Sequence, residues 1–450
     1  MTAFVRGVGL CLLVVGLLGP GATRAQRAPT PLTAETLRHS LEADLLAHWY
    51  PRAIDSTHGG FLSDFAHDWT QTGPQNKFVV TQARHVWTTA RLHRARPRAD
   101  SLYLRAARHG VAFLRDTLWD ETHGGFYSLV DRAGERLSGE GAHTATKTAY
   151  GHAFGIYALA EHYAATGDPA ARRFAQRAFR WLDEHAHDAE HGGYFRNLRR
   201  DGTPYRTGYD DETPPKNQNS TIHLLEAFTR LYQVAPETPR LRDRLRELLV
   251  LTRDTMTTDR GALRLFFERD WTPITYRDSA WATRTAHYGL DHVSFGHDVE
   301  TAFLMLEAAE ALGQAPGPTL AVGKRMVDHA LRHGWDRDAG GFYDGGLVVG
   351  PDSVRIVRAT KAWWAQAEAL HTLVLMERHF PDDPQGYGAR ARAQWRYIER
   401  SLIDHEHGGW YRSGLDEAPD ARTAPKGGIW KGTYHNARAL LRTAALLESE

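Results

Sequence analysis

Cysteine is nearly absent from this chain: Cys11 is the only one in 450 residues. A single cysteine excludes an intrachain disulfide and a multi-thiolate metal site. Long hydrophobic runs are scarce too. The apolar stretch Val8 to Leu18 is too short to span a bilayer, and no later stretch is long enough. It follows Arg6 and precedes Thr23-Arg24-Ala25, the order of charged, apolar and small-residue regions in a secretory signal. Residues 1–25 are therefore expected to be a cleaved signal peptide, leaving a secreted or periplasmic protein with no cysteine and no membrane attachment. Leu10 before Cys11, and the early position of that cysteine, argue against a lipoprotein anchor. A charge excess is missing as well. Lys and Arg total 55 against 54 Asp and Glu, so no basic surface for nucleic acid is expected. No Gly-x-Gly-x-x-Gly, Walker A, Gly-x-Ser-x-Gly or His-Glu-x-x-His occurs. Their absence speaks against dinucleotide redox, P-loop, esterase and zinc-protease chemistry, and neither a cofactor nor a metal is expected.

What is present is a repeat. His58-Gly59-Gly60-Phe61 recurs as His123-Gly124-Gly125-Phe126, His191-Gly192-Gly193-Tyr194 and His407-Gly408-Gly409-Trp410. Weaker copies are Ala339-Gly340-Gly341-Phe342 and Arg260-Gly261-Ala262-Leu263. First glycines at 59, 124, 192, 261, 340 and 408 give intervals of 65, 68, 69, 79 and 68 residues. Two helical patterns separate successive copies, for example Ala142 to Thr166 and Pro169 to His185. Thr33 to Tyr50 reads as a first helix with Thr33 as its N-cap. Each unit is then a helix pair with a small hairpin, too small to bury its own face. Six pairs close into an all-α (α/α)6 barrel, with short β-hairpins in the connecting loops and residues 31–448 as one domain. A motif repeated in every unit serves the turn rather than a single active site. The 79-residue interval carries an insertion, 276–292, expected to shape a substrate site beside His297.

The chemistry concentrates at three helix starts. Ser294 to Glu300, Trp430 to Asn436 and Asn219 to His223 each introduce an apolar helical run, and each contains a histidine: His297, His435 and His223. Any one alone reads as structural, but three in like settings converge if the helices form a ring. His297 and Glu300 share a helical face and could ligate a metal, but they fit better as an acid/base histidine with a carboxylate partner. A neutral imidazole can take a proton from a carbon acidified by an adjacent carbonyl, and a second imidazole on the other face can return one. The developing oxyanion needs a donor, for which Arg84 and His223 are candidates. Trp363, Trp364 and Trp430 could supply apolar walls for sugar rings.

These segments, with Asn219 to Glu226, Ser294 to Glu300, Trp363 to Glu368 and Trp430 to Asn436 as the diagnostic ones, resemble the N-acylglucosamine 2-epimerase superfamily, and within it the cellobiose 2-epimerases. The resemblance covers nearly the whole mature chain. It implies an (α/α)6 barrel and epimerisation at C2 of the reducing-end sugar of a β-1,4-linked disaccharide, cellobiose or mannobiose. The route it implies is ring opening, a cis-enediolate, rotation and reprotonation, with no metal or nucleotide in the chemical step. It also implies that His297 and His435 are the acid/base pair, that His223 assists ring opening, and that Arg84 stabilises the enediolate oxygen. Glu300, Asn219 and Tyr150 would hold hydroxyls, and Trp363 or Trp364 with Trp430 would frame the sugar. The expected partner is a small-molecule disaccharide, and a monomer is expected. A signal peptide departs from what cytosolic sugar metabolism calls for and suggests action on oligosaccharides before uptake. Two other readings share the architecture. An aldose–ketose isomerase acting on mannose would reprotonate C1, and a glycoside hydrolase would need two carboxylates, for which Glu226, Glu300 and Glu368 are available. A non-catalytic sugar-binding protein would not need three such histidines.

Overall fold

The computed structural model describes residues 30–449 except 97–100, 138, 140, 211 and 212. The expected signal segment 1–25, with Cys11, lies outside the described residues. Thr33 opens the first helix as the sequence predicts. Its side chain accepts the Thr36 N–H, and the Thr36 side chain accepts the Thr33 N–H in return.

Among the described residues, twelve long helices follow in order. The first six are α1 (Ala34–Ser40, prolonged by a π-helical turn Leu41–Leu46 and by Ala47–Trp49), α2 (Val79–Ala95), α3 (Leu102–Phe113, prolonged by Leu114–Leu118), α4 (Ala149–Thr166), α5 (Pro169–Ala186) and α6 (Gln218–Val234). The others are α7 (Leu241–Val250, prolonged by Leu251–Met256), α8 (Phe295–Ala311), α9 (Pro316–Gly334), α10 (Trp363–His379), α11 (Tyr387–Ser401) and α12 (Tyr434–Glu448). The odd-numbered helices bury one stripe, as α5 does with Phe174, Ala178 and Trp181. The even-numbered ones are buried nearly all round: α4 is buried from Ala149 to His162 except at Tyr150. Each even helix packs on the next, and α12 closes back on α2 while α1 covers α12. The result is the expected (α/α)6 barrel, six inner helices inside six outer ones.

The glycine pairs are turn devices. Gly59 and Gly60 have φ of 78° and 65°, and a Cβ on Gly60 would lie 2.5 Å from Gln82 Oε1. Four residues before the first glycine stands a buried aspartate, whose N–H and carbonyl bracket the turn, as in Asp55 with Gly60 and Gly59. In five units that aspartate pairs with a buried lysine: Asp55–Lys77, Asp120–Lys147, Asp188–Lys216, Asp336–Lys361 and Asp404–Lys426. The fourth unit lacks both, with Thr257 and Val293 at those positions.

One detail differs from the sequence reading. Ala142 to Thr166 is not one helix: a single turn, Ala142–Ala145, is followed by an extended pair, Lys147–Thr148, before α4 begins. The extended pair arises because Lys147 and Thr148 ladder with Leu198 and Asn197, and the Thr148 side chain then caps α4. Within each unit the glycine turn closes a small hairpin on a single bridge, such as Trp119 with Phe126, while the two-residue ladders join neighbouring units. The exception is a long hairpin, Gly345–Gly350 with Ser353–Arg358, whose first strand also pairs with Val293–Ser294 just before α8.

Candidate active site

All six inner helices start at one end of the barrel, and each brings a polar or aromatic side chain there: Arg84 from α2, Tyr150 from α4, His223 from α6, His297 from α8, Trp364 from α10 and His435 from α12. The Trp364 ring contacts both acid/base candidates, with centroids 4.7 Å from His297 and 5.8 Å from His435. Tyr150 packs on His223 at 5.2 Å and on Trp430 at 6.2 Å. Asn219 is half-buried beside Tyr150 and hydrogen-bonds to its hydroxyl. Trp430 is 38% exposed and forms part of the rim. Trp363 goes elsewhere, into the core beneath Arg412 and Lys431, so of the two adjacent tryptophans only Trp364 meets the histidines.

Arg438, one turn into α12, is the electrostatic centre. Its guanidinium is fully buried and contacts Glu226, Glu300 and Glu368, with Nη2 2.7 Å from Glu368 Oε1 and Nη1 2.6 Å from the Tyr434 hydroxyl. Three carboxylates around one cation satisfy much of the cost of burying charge. Burial alone would raise the Glu226 carboxyl, but Arg438 and His223 hold it far below its ordinary value. Burial pushes Glu368 up against the pull of Arg438. Glu300, Glu368 and His435 lie close enough together to hold a cation. The guanidinium of Arg438 already bonds both carboxylates of that set.

Each histidine is tied back through Nδ1. His435 Nδ1 is 2.7 Å from Glu368 Oε1, which also accepts from Arg438; that oxygen is an acceptor, so the Nδ1 proton belongs to the imidazole and Nε2 is left as a base. His223 Nδ1 is 3.0 Å from Glu226 Oε2. His297 Nδ1 is 2.7 Å from Ser294 Oγ. Ser294 occupies the N-cap position of α8 yet makes no cap, whereas Thr148 and Asn217 at the same position of α4 and α6 accept a helix N–H. Its hydroxyl is diverted to the histidine. Burial lowers His297 to about 4, with Glu300 opposing and His223 and His292 assisting. Burial, then Arg84, sets His435 well below its ordinary value against Glu300. Both imidazoles are therefore neutral at pH 7.

Arg84 is 4% exposed, and no carboxylate among the described residues lies within ion-pairing distance. Its guanidinium stacks on Phe154 at 4.4 Å and Tyr434 at 5.2 Å, and Nη2 donates to the Tyr150 hydroxyl at 2.9 Å. Its Nε is buried with no partner among the described residues. A buried cation without a counter-charge is a place for a developing oxyanion.

Arg438, Glu226, Glu368 and Ser294 are the site residues that the motifs undervalue. The signal is a spacing of three: Glu226 follows His223, Glu300 follows His297 and Arg438 follows His435 at that interval, while Ser294 precedes His297 by it.

The comparisons with known proteins agree. Residues 59–439 match the N-acylglucosamine 2-epimerase family. The chain is 30% identical to a cellobiose 2-epimerase of Bacteroides fragilis, over 90% of this chain and 96% of that one. It is 25% identical to a D-mannose isomerase of Marinomonas mediterranea, over 89% and 95%. The solved cellobiose 2-epimerase of Spirochaeta thermophila superposes with a TM-score of 0.77 at 30% identity, covering 92% of this chain and 98% of that one. A family match over most of the length, on a barrel whose inner helices bring these histidines together, establishes that the chain belongs to the N-acylglucosamine 2-epimerase family, carbohydrate epimerases of the isomerase class.

Proposed function

We propose that the protein epimerises C2 of the reducing-end sugar of a β-1,4-linked disaccharide, cellobiose or mannobiose. The observation that carries this is the pair of neutral, tethered imidazoles of His297 and His435 that both pack on the Trp364 ring. In the proposed sequence His223, held by Glu226, assists ring opening to the aldehyde. One histidine takes the C2 proton through Nε2, and the electron pair moves onto the carbonyl oxygen to give an enediolate. Arg84 faces that oxygen as the counter-cation. The negative charge of the enediolate draws a solvent proton onto the other histidine, which delivers it to the opposite face of C2, and the first histidine releases the abstracted proton to solvent. Glu300, Asn219 and Tyr150 hold hydroxyls, with Trp364 and Trp430 against the ring faces.

A second reading has support from the D-mannose isomerase relatives. The same enediolate reprotonated at C1 gives a ketose, so the relatives' two activities differ in where the proton returns. A hydrolase is disfavoured because Glu226, Glu300 and Glu368 all converge on Arg438 instead of flanking a bond. The test is product analysis by NMR, with EDTA present and no nucleotide, on cellobiose, mannobiose and mannose in turn. A glucosyl-mannose or mannosyl-glucose product of unchanged mass supports epimerisation. A ketose product supports the isomerase, and free monosaccharides from a disaccharide would refute both. We also propose export directed by residues 1–25; N-terminal sequencing of the protein from a periplasmic or culture fraction should begin near Gln26, and an intact Met1 there would refute it.

A further inference from the structure

The fourth repeat departs from the others in three ways, and the fifth in one, its hairpin. Arg260-Gly261-Ala262-Leu263 replaces the His-Gly-Gly-aromatic turn, and Thr257 and Val293 replace the buried aspartate–lysine pair. Residues 276–292 are inserted before α8, and the Gly345–Arg358 hairpin is long where neighbouring ladders have two residues. These departures meet at one cleft of about 300 Å³, bounded by the degenerate turn, Arg277 of the insertion, the hairpin tip and the last turns of α9. The repeat does not require such a cleft, because its other units lack the parts that build it.

Its walls are basic. Arg260, Arg264 and Arg277 line it with His329 and His333, against Asp259 and Asp352. Asp352, at the hairpin tip, stands 3.3 Å from Arg332, 3.5 Å from His333 and 3.7 Å from Arg260. These distances exceed the about 2.7–2.9 Å of a well-formed charge-assisted bond. One loosely held carboxylate thus occupies a place with cations on several sides. Arg264 and Arg277 have no carboxylate within ion-pairing distance among the described residues. The floor is His329, 6% exposed, whose Nδ1 is 3.0 Å from Asp298 Oδ2. Asp298 also accepts the Leu263 N–H at 2.9 Å and directly follows His297. The cleft therefore abuts the helix that carries His297, although it is separate from the central site.

We propose that this cleft binds a small phosphate-class oxyanion, free or as a sugar phosphate ester, and that Asp352 is the internal anion it displaces. The proposal rests on the fourth and fifth repeats and not on the epimerase reading. The test is a calorimetric titration of the full-length protein with inorganic phosphate and with glucose 6-phosphate, in a buffer free of other oxyanions. Saturable binding is expected. Asp352→Asn should tighten it about tenfold by removing the competitor, and Arg264→Gln with Arg277→Gln should weaken it about tenfold. Tighter binding of the ester than of phosphate identifies a sugar phosphate as the source; equal binding identifies the free anion. Failure of both wild type and Asp352→Asn to bind either probe would overturn the proposal. So would binding unchanged in the double arginine variant, which would place the anion elsewhere.

Discussion

His297 and His435 have similar surroundings but different supports, and the difference has consequences. A carboxylate behind His435 stabilises the imidazolium formed when it accepts a proton, while the Ser294 hydroxyl behind His297 mainly fixes the ring. Ser294→Ala should lower kcat about fivefold, the effect of one neutral hydrogen bond, with little change in KM, and Ser294→Thr should restore part of it. Steady-state kinetics of the two variants checks this. Because burial lowers His297 to about 4 and sets His435 well below its ordinary value, the neutral base form persists as pH falls from 7. The acidic limb of kcat/KM in a pH–rate profile should therefore appear near pH 4 and not near 6.5. The histidines are legible in sequence because three of them stand at the starts of three apolar helices, a setting that a closed ring brings together. Arg438 is not, since an arginine four residues before Arg442 in a terminal helix reads as a solvated face. Nor could sequence choose between Trp363 and Trp364, which differ by one residue and by about 100° around the helix.

At the scale of the element, the fourth residue has the same task in four of the six inner helices. Gln82, His152, Asp298 and Gln366 all accept the N–H of the residue that follows the glycine turn: Phe61, Phe126, Leu263 and Phe342. His152 does this with Nε2 while its Nδ1 faces the Thr148 carbonyl at 2.8 Å, so only the neutral imidazole, donating from Nδ1, satisfies both ends. Burial lowers it to about 3. A depressed histidine contributes stability that is complete above its ordinary value near 6.5 and is lost as pH falls toward 3. His152→Gln copies the solution in α2 and α10. It should match wild type at pH 7 and surpass it at pH 4.5, by about 1.4 kcal/mol per pH unit below 6.5. Urea unfolding at the two pH values measures the difference. The glycine turns were visible through their repetition. Their buried lysines were not, because a lysine in the loop before a helix ordinarily faces water and its aspartate lies on another element.

For the whole molecule, the site exists only when the ring is closed. Its six principal side chains come one from each inner helix, and Arg438 on the last helix reaches carboxylates on α6, α8 and α10. Arg438→Met would leave three buried carboxylates without their cation and should cost about 3–5 kcal/mol, read from chemical denaturation. The six-fold period makes the closed barrel readable in the sequence. The buried charge hub was out of reach, since it depends on which inner faces meet across the axis. The central claim is that two histidines exchange the C2 proton through an enediolate. Proton NMR of the reaction in D2O tests it most directly, run with wild type, His297→Ala and His435→Ala. The account predicts one deuterium at C2 of the epimerised product and a loss of turnover of about 10²–10⁴-fold in each variant. Product that keeps its original proton at C2, or variants that turn over like wild type, would contradict it.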